Sequence, residues 1–389
     1  MKSRRAGVCD ARTLAALIGA IIMTPSLPAR ADTNGIMALG VNPGNAGQVH
    51  AVSADGSVVV GYTTQSGRRI PFRWSQSSGA MTLGYLHAPN NPNSEAKGVS
   101  DNGVYTVGTE SLTVGFGNPT SVGFRWTPPG STQGFGSPIA WRYTGINAVS
   151  DNNVAVGYVP SHLSPSERIE ATTWTGNQQL LLGFMEPVNP NASSEAKSVT
   201  PDGSVVVGWG SSTTGQRAFR WTQQTGMVPM ELLPGHNAND ATDISADGSV
   251  IVGTTSTSGR RNIFRWTETT GMVDLGRLPN TFVCDNLRAS GDGSIIVGNC
   301  DGRPLIWTET LGLRLLRPTL ETYYGIDMSG WVIWTIGDVS SDGNYLVGFG
   351  NNNGVPDAFR IRIPEPGVLS MLILVSPLAI RFRRSRSGR

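Results

Sequence analysis

Ser245-Ala246-Asp247-Gly248-Ser249-Val250-Ile251-Val252-Gly253 is the stretch whose reading decides the fold. It reads as a tight turn followed by the second strand of a β-hairpin. A three-residue hairpin loop is commonly a type I turn closed by a left-handed residue, and that last slot wants glycine or asparagine. The stretch recurs at Ser53 to Gly61, Ser100 to Gly108, Ser150 to Gly157, Thr200 to Gly208, Ser290 to Gly298 and Ser340 to Gly348. The left-handed slot holds Gly56, Gly103, Asn153, Gly203, Gly248, Gly293 and Gly343. Pro201 occupies the turn position whose φ it pre-sets. An Asp-Gly turn also occurs in calcium loops, but the further ligands of such a loop are not beside it.

Each copy continues in the same way. A short strand follows, as in Pro71-Phe72-Arg73-Trp74, Gly123-Phe124-Arg125-Trp126, Ala218-Phe219-Arg220-Trp221 and Ile263-Phe264-Arg265-Trp266. Weaker copies end in Trp174 and Trp307, and Ala358-Phe359-Arg360-Ile361 lacks the tryptophan. Another turn leads to a strand such as Gly271-Met272-Val273-Asp274-Leu275-Gly276. That makes four strands, A to D, per unit of 45 to 51 residues. Seven such units predict an all-β, seven-bladed β-propeller of four-stranded blades. The unbroken apolar run Val58-Val59-Val60 suits a strand covered on both faces, and the repeated Phe and Trp would fill the layers between blades. The seventh unit has no strand D, whereas Asn34 to Gly40 matches strand D with no A to C before it. Pairing the two completes blade seven and leaves no open sheet edge.

These units resemble the bacterial extracellular HAF repeat family over roughly Gly35 to Ile361. The histidine of the family's His-Ala-Phe strand is absent, while Ala218-Phe219 and Ala358-Phe359 keep the rest. The resemblance implies an exported or surface protein and brings no catalytic set with it.

Both ends read as targeting segments. Residues 1–31 have a basic start, an apolar run from Leu14 to Met23 and an A-x-A site at Ala29-Arg30-Ala31, the pattern of a secretory signal. Residues 32–363 form the propeller, and residues 364–389 a tail. In that tail Pro364-Glu365-Pro366 precedes a short apolar segment and an arginine cluster with Arg381, Arg383 and Arg384. The three-part order resembles the PEP-CTERM sorting tail of Gram-negative-type bacteria. The resemblance implies recognition by an exosortase-type membrane peptidase, transient membrane contact through the tail, and delivery to the cell surface or matrix. A plain C-terminal anchor is the alternative.

The signal and tail carry ten of the 30 basic residues. Residues 32–363 hold 20 basic residues against 26 acids, so the isoelectric point near 8.5 belongs to the ends. A body with a net charge of about −6 argues against nucleic acid as a partner. Cys284 and Cys300 stand eight residues either side of Asp292, opposite each other across a hairpin. This placement suits a cross-strand disulfide, with two buried free thiols as the other reading.

No residues are assigned a catalytic or metal-binding role, and no cofactor is called for. The histidines His50, His87, His162 and His236 are scattered without metal-site spacing. Glu95, Glu195, Asp240 and Asp243 read as solvated acids of strand A or its approaches, although acids from several blades meeting in one funnel would favour an enzyme. The sequence therefore points to a non-catalytic scaffold or binding module for a surface polysaccharide, other polymer or protein. A secreted polysaccharide hydrolase or lyase is the alternative. The D–A and B–C connections share one side of the ring and include the longest ones, with Thr109–Ser121 reading as a long B–C loop. Thr319–Thr335 reads as such a loop, and its Tyr323, Tyr324, Trp331 and Trp334 are the candidate binding aromatics.

Overall fold

The repeated turn folds as its residue types require. Ser245 Oγ donates to Asp247 Oδ1 at 2.7 Å and accepts the Val250 N–H at 2.9 Å. Asp247 Oδ1 also accepts the Ser249 N–H at 2.9 Å, so one serine and one aspartate satisfy the turn's free donors. These bonds, the Ser249 N–H first, hold the Asp247 carboxyl below the usual carboxylate range. The last turn residue is left-handed in all seven copies, at φ 74° for Gly248 and 64° for Asn153.

A computed structural model describes residues 35–41, 46–86, 93–114, 118–135, 143–161, 168–186 and 192–364. Seven antiparallel four-stranded sheets make the blades of a propeller. Blades one to six span residues 47–82, 93–135, 145–183, 194–229, 238–276 and 284–315. Blade seven combines residues 331–362 with the strand Ile36–Ala38, which pairs antiparallel with Val355–Arg362 in the register Met37 to Arg360. The closure is pinned by more than the ladder. Ile36, Leu39 and Val41 are buried, and the Asp357 carboxylate accepts the N–H groups of Gly40 and Val41 at 3.1 and 2.9 Å.

The second glycine of each copy has a different task. Strand A carries a β-bulge opposite it, at His50, Lys97, Asn147, Lys197 and Thr242 in blades one to five. A Cβ built on Gly61, Gly108, Gly157, Gly208 or Gly253 would stand 2.0 Å from a strand A carbonyl oxygen. Only glycine lets the bulged strand lie that close. The bulge turns an extra side chain towards the propeller axis.

Phe72, Phe219, Phe264 and Phe359 are fully buried between blades, as are Trp74, Trp126 and Trp174, while Trp221, Trp266 and Trp307 are half-buried. The arginine between Phe and Trp reaches the next blade. Arg73 donates to the Gly103 carbonyl at 2.9 Å, Arg265 to Gly293 at 3.4 Å, and Arg360 to Gly56 at 2.7 Å. The same guanidinium groups lie 5.3 Å over Trp126, 5.8 Å over Trp307 and 4.9 Å over Trp74. Arg125 reaches Asn153 instead. Arg73, Arg265 and Arg360 thus tie their strand C to both the turn and the tryptophan of the following blade.

Two connections differ from the sequence reading. Thr109–Ser121 is mostly hairpin, because Thr106–Val114 and Asn118–Thr127 pair up to Val114 and Asn118. Thr319–Thr335 is not a loop. It holds the end of an α-helix, Leu316–Tyr323, and the start of a strand, Trp331–Val339. The helix forms because Leu316, Thr319 and Leu320 share a buried face, with Pro318 in the first turn where its missing N–H costs nothing. Cys284 and Cys300 are directly opposed in the ladder and joined by a disulfide, with Cα atoms 4.0 Å apart. The readings of residues 1–31 as a signal with Ala29 and Ala31 at its cleavage site, and of Glu365, Pro366, Arg381, Arg383 and Arg384 as sorting residues, lie outside the described residues. No helix among the described residues is long and apolar enough to cross a membrane.

Candidate functional site

Strand A is innermost in every blade, so the bulged residues meet around the axis. The channel there encloses about 100 Å³ and is lined by Lys97, Lys197 and Arg288 facing Asp101, Asp243 and Asp338. Glu95, Glu195 and Asp240 precede the bulges of blades two, four and five, and so stand nearer the end where strand A begins. The sequence reading of these acids as solvated is corrected: ring closure gathers them from separate repeats, and Glu195 is buried.

Most are engaged. Glu195 takes an ion pair from Lys197 at 2.8 Å and hydrogen bonds from Asn147 Nδ2 at 2.9 Å and Trp209 Nε1 at 3.0 Å. Glu95 lies 3.2 Å from Arg69 and 3.7 Å from Lys97. Asp243 accepts Ser198 Oγ at 2.7 Å and the Ala289 N–H at 2.9 Å. Asp338, 9% exposed, accepts the N–H groups of Val52 and Val339 at 3.0 and 2.8 Å. Burial, with Asp243 adding and Arg288 opposing, pushes its carboxyl up to about 8, so it keeps its proton at neutral pH.

Among the described residues, two polar atoms of the ring are buried without a hydrogen-bond partner, Nε2 of His50 and Oδ1 of Asp240. Burial pulls the His50 imidazole down to about 4, against the pull of Glu95 at 3.8 Å, so it is neutral at pH 7. Burial pushes Asp240 up to about 6, with Lys197 opposing. The channel therefore offers neutral and paired polar groups around a space well below the roughly 300 Å³ at which small-molecule sites begin. It suits waters or a small ion, not a sugar ring. No group of three or more His, Cys, Asp or Glu among the described residues is arranged to hold a metal ion.

The four candidate aromatics do not form one patch. Trp331 is 5% exposed and packs edge-on against Phe359 at 5.6 Å, so it belongs to the core of blade seven. Tyr324 is half-buried against the same core. Trp334 is 41% exposed, at a second bulge of strand A, and touches Phe349 at 5.9 Å. Tyr323 is 38% exposed and lies under Arg314 of the outermost strand of blade six, at 5.1 Å. One is thus on the innermost strand and the other beside an outermost one. The i, i+4 pair Leu316 and Leu320 was the sequence signal for the helix that carries Tyr323.

No family model matches the chain, and no curated protein does. Among solved structures, a candidate TolB from Agrobacterium tumefaciens superposes with a TM-score of 0.48 at 12% identity, covering 83% of this chain and all of that one. The β-propeller domain of Myceliophteria thermophila Cps50 (Swd1) gives 0.48 and 12%, covering 81% of this chain and 96% of that one. Likeness at this level carries no argument about function, and the propeller assignment rests on the strand order described above.

Proposed function

We propose that the protein is an exported, non-catalytic propeller that serves as a scaffold or binding module at the cell surface or in the extracellular matrix of a Gram-negative-type bacterium. Its partner is a protein or a surface polymer. Residues 1–31 direct export, and the Pro364-Glu365-Pro366 tail is sorted by an exosortase-type peptidase. The observation that carries the non-catalytic reading is the engagement of the axial acids. Glu95, Glu195, Asp243 and Asp338 are each held by cations or N–H donors around a space of about 100 Å³. Tyr323 and Trp334 supply separate exposed contacts for a partner.

Fractionation of the native host, with mass spectrometry of both chain ends, tests the sorting half. Surface protein beginning near Asp32 and lacking the arginine cluster is expected; surface protein ending in Arg389 would replace sorting by a plain anchor. A second reading, polysaccharide hydrolysis or elimination, is favoured by one feature. Asp240 holds a proton up to about pH 6 with Oδ1 unbonded, as a general acid would. Release of new reducing ends from host polysaccharide, abolished by Asp240→Asn, would establish that reading instead.

A further inference from the structure

Of the five arginines at this strand C position, Arg220 alone makes no tie to the next blade among the described residues. Blades four and five carry both halves, Arg220 and Trp266, at the positions occupied by Arg73 and Trp126, Arg265 and Trp307, and Arg360 and Trp74 elsewhere. Yet the Arg220 guanidinium makes no hydrogen bond, ion pair or ring contact among the described residues. The turn it would reach is looser as well. A Cβ built on Gly248 would find its nearest atom, in Val205, at 3.4 Å, against 2.3, 2.9 and 2.6 Å at Gly56, Gly103 and Gly293 in the three tied seams.

A slot of about 380 Å³ opens at this seam. Trp266 and Met272 of blade five form one wall, and Arg220, Val228 and Met230 of blade four the other. The strands Gly215–Thr222 and Gly226–Pro229 pair Arg220 with Val228, and Trp266 pairs with Met272 across the facing sheet. The two walls therefore present apolar surface with one uncommitted cation. Val228 is 46% exposed, so the slot is open to solvent. Its volume lies in the range of small binding pockets, unlike that of the axial channel.

We infer that this slot binds an extended peptide segment of a partner protein, with an apolar side chain packed against Trp266 and Met272 and a carboxylate on Arg220. The lining chooses between the partners left open above, so the inference rests on the binding-module reading. Methionine, valine and proline around one indole give an adaptable apolar floor, which suits a peptide side chain. A sugar would need several polar groups converging on its hydroxyls. An unpaired guanidinium is the natural fork for a carboxylate. Glu231, exposed on the rim and also without an ion pair among the described residues, opposes a second acid on its side, so the acid lies towards Arg220 alone.

The test uses the purified full chain and fluorescein-labelled nine-residue peptides. These carry Leu, Ile or Phe at the centre and Asp, Asn or Lys two residues on. The Asp series should bind about tenfold more tightly than the Asn or Lys series, the size of one hydrogen bond to a charged group. Arg220→Gln, which breaks no hydrogen bond, ion pair or ring contact among the described residues, should abolish that preference, and Val228→Trp, which fills the slot, should abolish binding. Two results overturn the inference. One is failure of every peptide to bind; the other is equal binding to both variants, which places peptide recognition elsewhere but leaves the binding-module reading standing. Acidic oligosaccharides that bind the wild type and lose affinity in both variants, where the peptides do not bind, would reassign the slot to a glycan.

Discussion

The guanidinium of Arg360, in the last blade, donates a 2.7 Å hydrogen bond to the carbonyl of Gly56, in the first. It lies between two rings, 4.9 Å from Trp74 and 4.7 Å from Tyr345. Residues 304 apart in sequence thus share one tie, and it spans the seam at which the ring closes.

Arg360→Gln should lower the unfolding free energy by about 2–4 kcal/mol, summing a charged hydrogen bond and a desolvated cation–π contact. Arg220→Gln, at a side chain with no such partners among the described residues, should change it by less than about 0.5 kcal/mol. Urea midpoints of the two variants decide the matter. Equal losses would mean that the tie contributes nothing beyond surface charge.

Removing residues 34–40 should open blade seven. Ile36 and Leu39 are buried there, and each is worth about 1.5–3 kcal/mol. The Asp357 carboxylate would also lose its Gly40 N–H donor. A Tm several degrees below that of a chain shortened only by residues 32 and 33 is expected. An unchanged Tm would show that the terminal strand does not close the ring.

His50 should give the stability curve an acid limb. Its imidazole titrates near 6.5 when unfolded and near 4 when folded, so between those values the unfolded chain binds more protons. Stability contributed by the buried neutral ring is complete above pH 6.5 and is lost as pH falls towards 4, by roughly 3 kcal/mol. His50→Gln should flatten that limb. Asp338, raised from 3.8 to about 8, acts with the opposite sign: its contribution is lost as pH rises through the same range and on to pH 8. The difference between wild type and variant across pH 4–7 isolates the histidine.

The Cys284–Cys300 disulfide closes a loop with a sequence separation of 16. A loop of that size contributes about 3 kcal/mol. The double variant Cys284→Ala, Cys300→Ala should lose approximately that much, and a non-reducing peptide map should recover the two cysteines together. Rapid maleimide labelling of both thiols in denatured, unreduced protein would show that the bond does not form.

The parts of the fold legible in the sequence were those written in local backbone chemistry. A left-handed slot admits glycine or asparagine wherever it lies, so seven copies of one turn counted the blades before any contact was known. Closure was legible too, because a surplus strand at one end matched a missing strand at the other. The helix Leu316–Tyr323 was not, since its apolar face spans little more than two turns and competes with loop-like residues on either side. Trp331 and Trp334 look alike in sequence, but three residues apart on one strand they point to opposite faces, and the packing of blade seven makes one face core and leaves the other exposed.

What the sequence determined by itself was the repeat, because each turn is specified within nine residues. The tertiary structure alone decided which repeats touch and how. Glu95, Glu195, Asp240 and Asp338 become one axial ring only when all seven strands A converge. Arg220 and Trp266 form an open slot, whereas Arg265 and Trp307, in the same sequence setting, form a closed tie. That difference lies in the spacing between blades, which follows from the summed packing of side chains distant along the chain and leaves no mark on either residue's neighbours in sequence.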